Sequence, residues 1–300
     1  MALVGRRAFL AGSVSALGAL GAGPPPADDA GSLDAREIVL SGNSPFARRA
    51  LVLVPKGIGP GERLPVLVLL HGLAETVDER TGVRAFRDRY GLPAADERLR
   101  HPPVLAPSHA AAARYLPEDR RARINRELGE HPYRGFVVVC PYVPNVWKLS
   151  PLGGVLDRYA SFIVDTLLPE VRSTAPARAD PAGAAIDGCS LGGYVALEVF
   201  LRRPEAFGAV GSVQAAIGER LVPWYAEKFR AIAANAAPPG VHLETSAWDP
   251  YRKASERLSA ELRARGLRAD LDVLPGGHDQ IFLREIGTLE MLLWHSRRFG

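Results

Sequence analysis

The 300-residue sequence predicts an α/β fold: a doubly wound, mostly parallel sheet with helices on both faces and an insertion after the third strand. Three observations lead there. Leu64 to Leu70 and Phe136 to Cys140 are nearly unbroken apolar runs, the pattern of parallel strands buried on both faces. Stretches with helical apolar spacing alternate with such runs. The segment Ala184 to Gly193 starts apolar, ends in small residues and is followed by the amphipathic Tyr194 to Leu201, which reads as strand, sharp turn, helix.

Residues 1–30 stand outside the fold. Arg6-Arg7 precedes a small-residue apolar run from Ala11 to Ala22 and then Pro24-Pro25-Pro26. A paired arginine before a short apolar core resembles a twin-arginine export signal, with cleavage expected between Ala19 and Ala30. The run is shorter than the ~20 apolar residues that a spanning helix needs. An exported protein, periplasmic or extracellular, with no stable membrane span after signal removal, is the expectation.

Residues 31–300 are expected to form one domain. Ala35 to Leu40 and Arg49 to Val54 read as two early strands around a Ser-Gly-Asn-Ser-Pro turn, and Leu64 to Leu70 as the third, ending in His71-Gly72-Leu73. Residues 75–135 change character. They carry twelve arginines and ten acids with few apolar runs, so a solvated, partly helical insertion is expected, serving as a lid or specificity segment. After the strand ending at Cys140-Pro141, the spacing of Val155, Leu156, Tyr159, Phe162, Ile163, Leu167 and Leu168 predicts a helix over 154–172 that Pro169 bends or ends. Phe207 to Val213, Val241 to Thr245 and Leu271 to Leu274 read as the remaining strands, with helices over 254–265 and 283–294.

Composition excludes some classes. The net charge is only +4, just four lysines are present, and no basic block interleaved with aromatics occurs, which argues against nucleic acid as a partner. Cys140 and Cys189 both lie in apolar runs, as inert buried thiols do, and little supports a disulfide between them. No Cys/His spacing suggests a metal, and no flavin or nicotinamide motif occurs, so no cofactor is expected.

Chemistry concentrates at the ends of strands. Ser190 lies at the apex of Gly188-Cys189-Ser190-Leu191-Gly192, a G-x-S-x-G turn opening a helix whose N-terminus directs partial positive charge at the serine. Asp249 and His278 also follow predicted strands, at the carboxyl edge where open α/β sheets gather their functional groups. The chain order Ser, Asp, His is that of α/β-hydrolase triads. A serine hydroxyl needs a base to take its proton, an imidazole does so near neutral pH, and a carboxylate holds the imidazole in the correct tautomer. His278 is preferred to His71, beside the expected oxyanion turn, and to His242, inside a strand. Asp249 is preferred to Glu244, inside a strand, to Asp270 and Asp272, which start the last strand at the wrong end of the sheet, and to Asp279, whose expected role is a loop hydrogen bond. Two N–H donors must face the developing oxyanion; Leu191, after the nucleophile, and Leu73, in the turn after the third strand, are the candidates.

These pieces together resemble the putative esterase family of α/β-hydrolases, which includes esterase D, feruloyl-esterase and mycolyltransferase types. The matching segments are Leu70-His71-Gly72, Gly188 to Gly193, Trp248-Asp249-Pro250 and Pro275 to Asp279, within a resemblance over about 36–297. The resemblance implies the α/β-hydrolase fold and serine hydrolysis of a small-molecule, polysaccharide or lipid ester through an acyl-enzyme, with Ser190, Asp249 and His278 as triad. It leaves acyl transfer to an alcohol as a rival, and a non-catalytic carbohydrate- or envelope-binding protein on the same scaffold as a further alternative.

Overall fold

A computed structural model describes residues 31–40, 46–107, 110–235 and 239–299; the expected export signal lies outside the described residues. Its centre is an eight-stranded sheet in the order β1-β2-β4-β3-β5-β6-β7-β8. Strands β1 (Leu33–Val39) and β2 (Arg49–Pro55) are antiparallel to their neighbours. The others are parallel: β3 (Val66–Leu70), β4 (Val137–Pro141), β5 (Ala184–Gly188), β6 (Ala209–Val213), β7 (Gly240–Trp248) and β8 (Ala269–Gly277). Every residue of β3, β4, β5 and β6 is buried, which is why these strands read as apolar runs and not as alternating ones.

Helices cover both faces. On one face lie α5 (Leu152–Ser161) and α6 (Leu168–Thr174), then α7 (Leu191–Arg202), α8 (Val222–Ala233) and α9 (Arg252–Ala264). The first two are joined by a π-helical turn, Phe162–Leu167. On the other lie α1 (Glu79–Asp88), α2 (Leu92–Arg100), α4 (Glu118–Glu130) and α11 (Thr288–Phe299). Two short helices, α3 (Ala110–Ala113) and α10 (Gln280–Phe282), complete the set. Among the described residues no helix is long and apolar enough to cross a membrane.

One expectation is corrected, and another, at Pro169, narrows to one of its two alternatives. The 75–135 segment is not a solvated appendage: Val83, Phe86, Tyr90, Leu92, Leu99, Tyr115, Ile124 and Leu128 are all buried in the core of the second face. Its apolar residues are dispersed among arginines, so no single window looks like a core helix, yet their summed burial closes one side of the sheet. Pro169 does not end its helix. The ring cannot donate an N–H and crowds the carbonyl four residues back. The backbone relaxes into the π turn before it, where the Leu168 N–H reaches back to Ile163 O, and the helix continues to Thr174.

Candidate active site

The turn after β5 is set by close backbone approach. A Cβ on Gly192 would lie 1.9 Å from Leu70 O, and one on Gly188 would lie 2.6 Å from both Leu70 O and the Gly192 carbonyl carbon. Only hydrogen fits at either position. Ser190, between them, adopts φ 55° and ψ −117°, a conformation that L-residues rarely hold. Neighbouring strand ends hold it there: Ser190 N–H donates to Val213 O (2.9 Å), and Ala216 N–H donates to Ser190 O (3.0 Å). The serine hydroxyl thus stands at the N-terminus of the twelve-residue α7.

The structure brings three of the expected site residues into one hydrogen-bonded run. His278 Nε2 lies 2.9 Å from Ser190 Oγ, and His278 Nδ1 lies 2.9 Å from Asp249 Oδ1. With Asp249 as carboxylate, Nδ1 carries the proton and Nε2 is left to accept from the serine. Asp249 follows the last residue of β7, which runs three residues further than the apolar pattern suggested and reaches Trp248 across an irregularity between Ser246 and Trp248. Its carboxylate is fully occupied: the Tyr251 N–H donates to Oδ1 (3.0 Å) and Thr245 Oγ1 donates to Oδ2 (2.6 Å). The Tyr251 ring stands edge-on to the imidazole at 5.5 Å.

Leu73 and Leu191 each head a helix, where the first N–H groups lack intrahelical acceptors. The register Leu70↔Gly188 sets their two turns side by side. His71, the competing histidine, is buried and accepts the Val143 N–H at Nε2 (2.9 Å); burial lowers its pKa to about 4, so it is a neutral structural ring. His242 is likewise buried within β7, and Asp279 caps α10 by accepting the Phe282 N–H (2.8 Å). Asp270 and Asp272 lie in β8, away from its carboxyl end. Both cysteines are free, buried thiols, and burial pushes each up. Among the described residues no group of three His, Cys, Asp or Glu side chains could hold a metal ion.

Several supporting residues had no sequence signal. Gln214, at φ 50° just beyond β6, donates through Nε2 to Ser246 Oγ (2.7 Å) and Gly277 O (2.8 Å), tying together the strand ends that precede Asp249 and His278. Asp187, immediately before Gly188, is fully buried and bonded to His295 Nε2 at 2.9 Å. Burial pushes its carboxyl upward, but His242 and His295 outweigh that and hold it below the usual range. Thr245 could have been suspected only from its spacing of four residues before Asp249.

Residues 45–282 match the family model described as putative esterase. The chain belongs to the putative esterase family. Among solved structures, a ferulic acid esterase superposes with a TM-score of 0.62 at 18% identity, covering 89% of this chain and all of its own. The S-formylglutathione hydrolase of Staphylococcus aureus gives 0.59 at 15% identity, over 88% of this chain and 99% of its own. The enterobactin esterase of Shigella flexneri gives 0.52 at 19% identity, over 87% of this chain and 59% of its own. No curated protein sequence matches. The fold is that of the α/β-hydrolases, and this putative esterase family member is a carboxylic-ester hydrolase.

Proposed function

We propose that the protein hydrolyses carboxylic esters through an acyl-enzyme on Ser190. The hydrogen-bonded run Ser190–His278–Asp249, with both links at 2.9 Å, carries this reading. Ser190 Oγ attacks the ester carbonyl while His278 Nε2 takes its proton. The N–H groups of Leu73 and Leu191 receive the oxyanion; each such donor contributes roughly 3 kcal/mol in the transition state. Asp249 steadies the imidazolium, which then protonates the departing alcohol. Water, deprotonated by His278, releases the acid and restores the serine. The His278 side chain is 23% exposed, so water has a path to the base, as hydrolysis requires.

The surroundings support an ester with an apolar or aromatic portion. Trp147 lies 6.1 Å from the Tyr194 ring, and the Tyr194 N–H donates to Ser190 O. Leu73, Trp147 and Ile281, beyond the carboxyl ends of strands, and Trp248, at the end of β7, are large apolar side chains left exposed. The paired Arg6-Arg7 segment supports export by a twin-arginine route, and N-terminal sequencing of the protein recovered outside the cytoplasm tests it.

The deciding experiment is labelling with a fluorophosphonate followed by peptide mapping. Modification of Ser190, absent from Ser190→Ala and from heat-unfolded protein, is expected; folded protein that stays unlabelled overturns the reading. Turnover of p-nitrophenyl esters of increasing chain length, with and without a competing alcohol, then separates hydrolysis from transfer.

A further inference from the structure

Glu75 lies in the 3-10 helix Leu73–Val77 that follows the oxyanion turn, yet it is 1% exposed. A carboxylate so placed is costly unless donors surround it. Three do. The Tyr90 hydroxyl donates to Oε2, Gln280 Nε2 donates to Oε1 (3.0 Å), and Arg89 approaches the same oxygen at 3.4 Å. Burial, with the neighbouring Cys189 and Glu75, pushes the Tyr90 phenol well above its ordinary range, so it stays protonated and donates. Its oxygen in turn accepts the Gly72 N–H (3.3 Å).

These bonds join the segment after β3 to the segment after β8. On one side, Gly72 N–H is engaged by Tyr90, leaving the N–H of Leu73 as the next donor along the turn. On the other, Gln280 is two residues past His278. We propose that Glu75 is a positioning residue: a buried carboxylate that clamps the oxyanion turn after β3 to the loop that carries the base after β8. It does not touch substrate. It fixes the spacing between the donor that receives the oxyanion and the imidazole that moves the proton. This inference rests on the esterase reading above.

The test compares unaltered protein with Glu75→Gln, Gln280→Ala, the double variant and Asp96→Asn. Asp96 is the control, a second buried acid that accepts from Ser32 (2.7 Å), Tyr133 (2.9 Å) and Arg100 (2.7 Å) away from the site. Glu75→Gln keeps the shape but turns an amide N–H₂ towards donors. It should lower kcat on p-nitrophenyl acetate and the fluorophosphonate labelling rate about tenfold, with KM within about twofold, as expected when catalytic geometry loosens and binding survives. Gln280→Ala should lower both rates about threefold, and the double variant should be no worse than Glu75→Gln alone, because the two residues act through one contact. Asp96→Asn should lower the melting temperature and leave kcat unchanged. Full rates in both Glu75→Gln and Gln280→Ala would overturn the assignment. Gln280 is exposed, so its variant decides the matter even where Glu75→Gln fails to fold. Failure of the esterase reading has a different signature, an unaltered protein that no fluorophosphonate labels, and it would remove this proposal with it.

Discussion

Replacing Asp249 with Asn removes one charge while leaving a particular hydrogen-bond pattern open. Oδ1 faces two donors, His278 Nδ1 (2.9 Å) and the Tyr251 N–H (3.0 Å), so the amide oxygen must occupy that position. The amide nitrogen then faces Thr245 Oγ1, a hydroxyl that rotates to accept as readily as it donates. The variant therefore keeps the imidazole tautomer and forfeits chiefly the attraction between carboxylate and imidazolium. With charge centres about 4 Å apart and an effective dielectric near 20, that attraction is about 4 kcal/mol. The amide dipole retains part of it, so about 3–4 kcal/mol is lost from the transition state. That corresponds to a kcat lowered a few hundredfold to about a thousandfold, with KM within about twofold. Stopped-flow and steady-state hydrolysis of p-nitrophenyl acetate near pH 7.5 measure both. A kcat within threefold of the unaltered enzyme would refute Asp249 as the acid. A loss far beyond a thousandfold would refute the rotated-threonine argument, since it would mean that the wrong tautomer had formed.

Three further outcomes are expected. Gly192→Ala places a Cβ 1.9 Å from Leu70 O, a backbone atom that has no room to yield; urea unfolding should show a loss of at least about 2 kcal/mol, with fluorophosphonate labelling much slowed. Burial lowers the His71 pKa to about 4 from 6.5, so between those values the unfolded chain binds more protons than the native one. Its stabilising share is complete above pH 6.5 and declines as pH falls towards 4, by about 3 kcal/mol in all, and His71→Gln should flatten the measured slope of unfolding free energy over that window. Phe86→Ala, within the 75–135 segment, should cost about 3–5 kcal/mol in chemical denaturation, as a core truncation does; a change under 1 kcal/mol would mean that the segment is peripheral after all.

What the sequence revealed and what it concealed follow from the range of the interactions. The β3 and β5 runs and the Gly188–Gly192 turn were legible because their determinants are local: a strand buried on both faces needs successive apolar residues, and a tight elbow needs two missing side chains. The three residues of the hydrogen-bonded run were legible for a related reason, since each falls where a strand stops. The end of β7 was misjudged because Ser246, Ala247 and Trp248 carry no alternation, and pairing with β8 alone extends the strand to Trp248. Glu75 was invisible. In the chain it is one acid among many charges; its importance lies in partners 15 and 205 residues away. Gln214 was hidden in the same way, being a polar residue in an irregular stretch whose two acceptors lie on later strands. The helices of 75–135 were obscured by arginine, whose long aliphatic stems let a sequence look polar while the positions between them pack.

The strand order has a consequence for how activity emerges along the chain. The Gly188–Gly192 turn follows β5, whereas Asp249 and His278 follow β7 and β8, the last two strands both in sequence and at the sheet's edge. Val213, whose carbonyl accepts the Ser190 N–H, belongs to β6, so that contact draws only on residues that precede β7. The His278 imidazole meets Ser190 only when β8 has joined, across 88 positions of chain. On the triad reading, the appearance of turnover in a refolding chain would time the closure of the sheet's final edge.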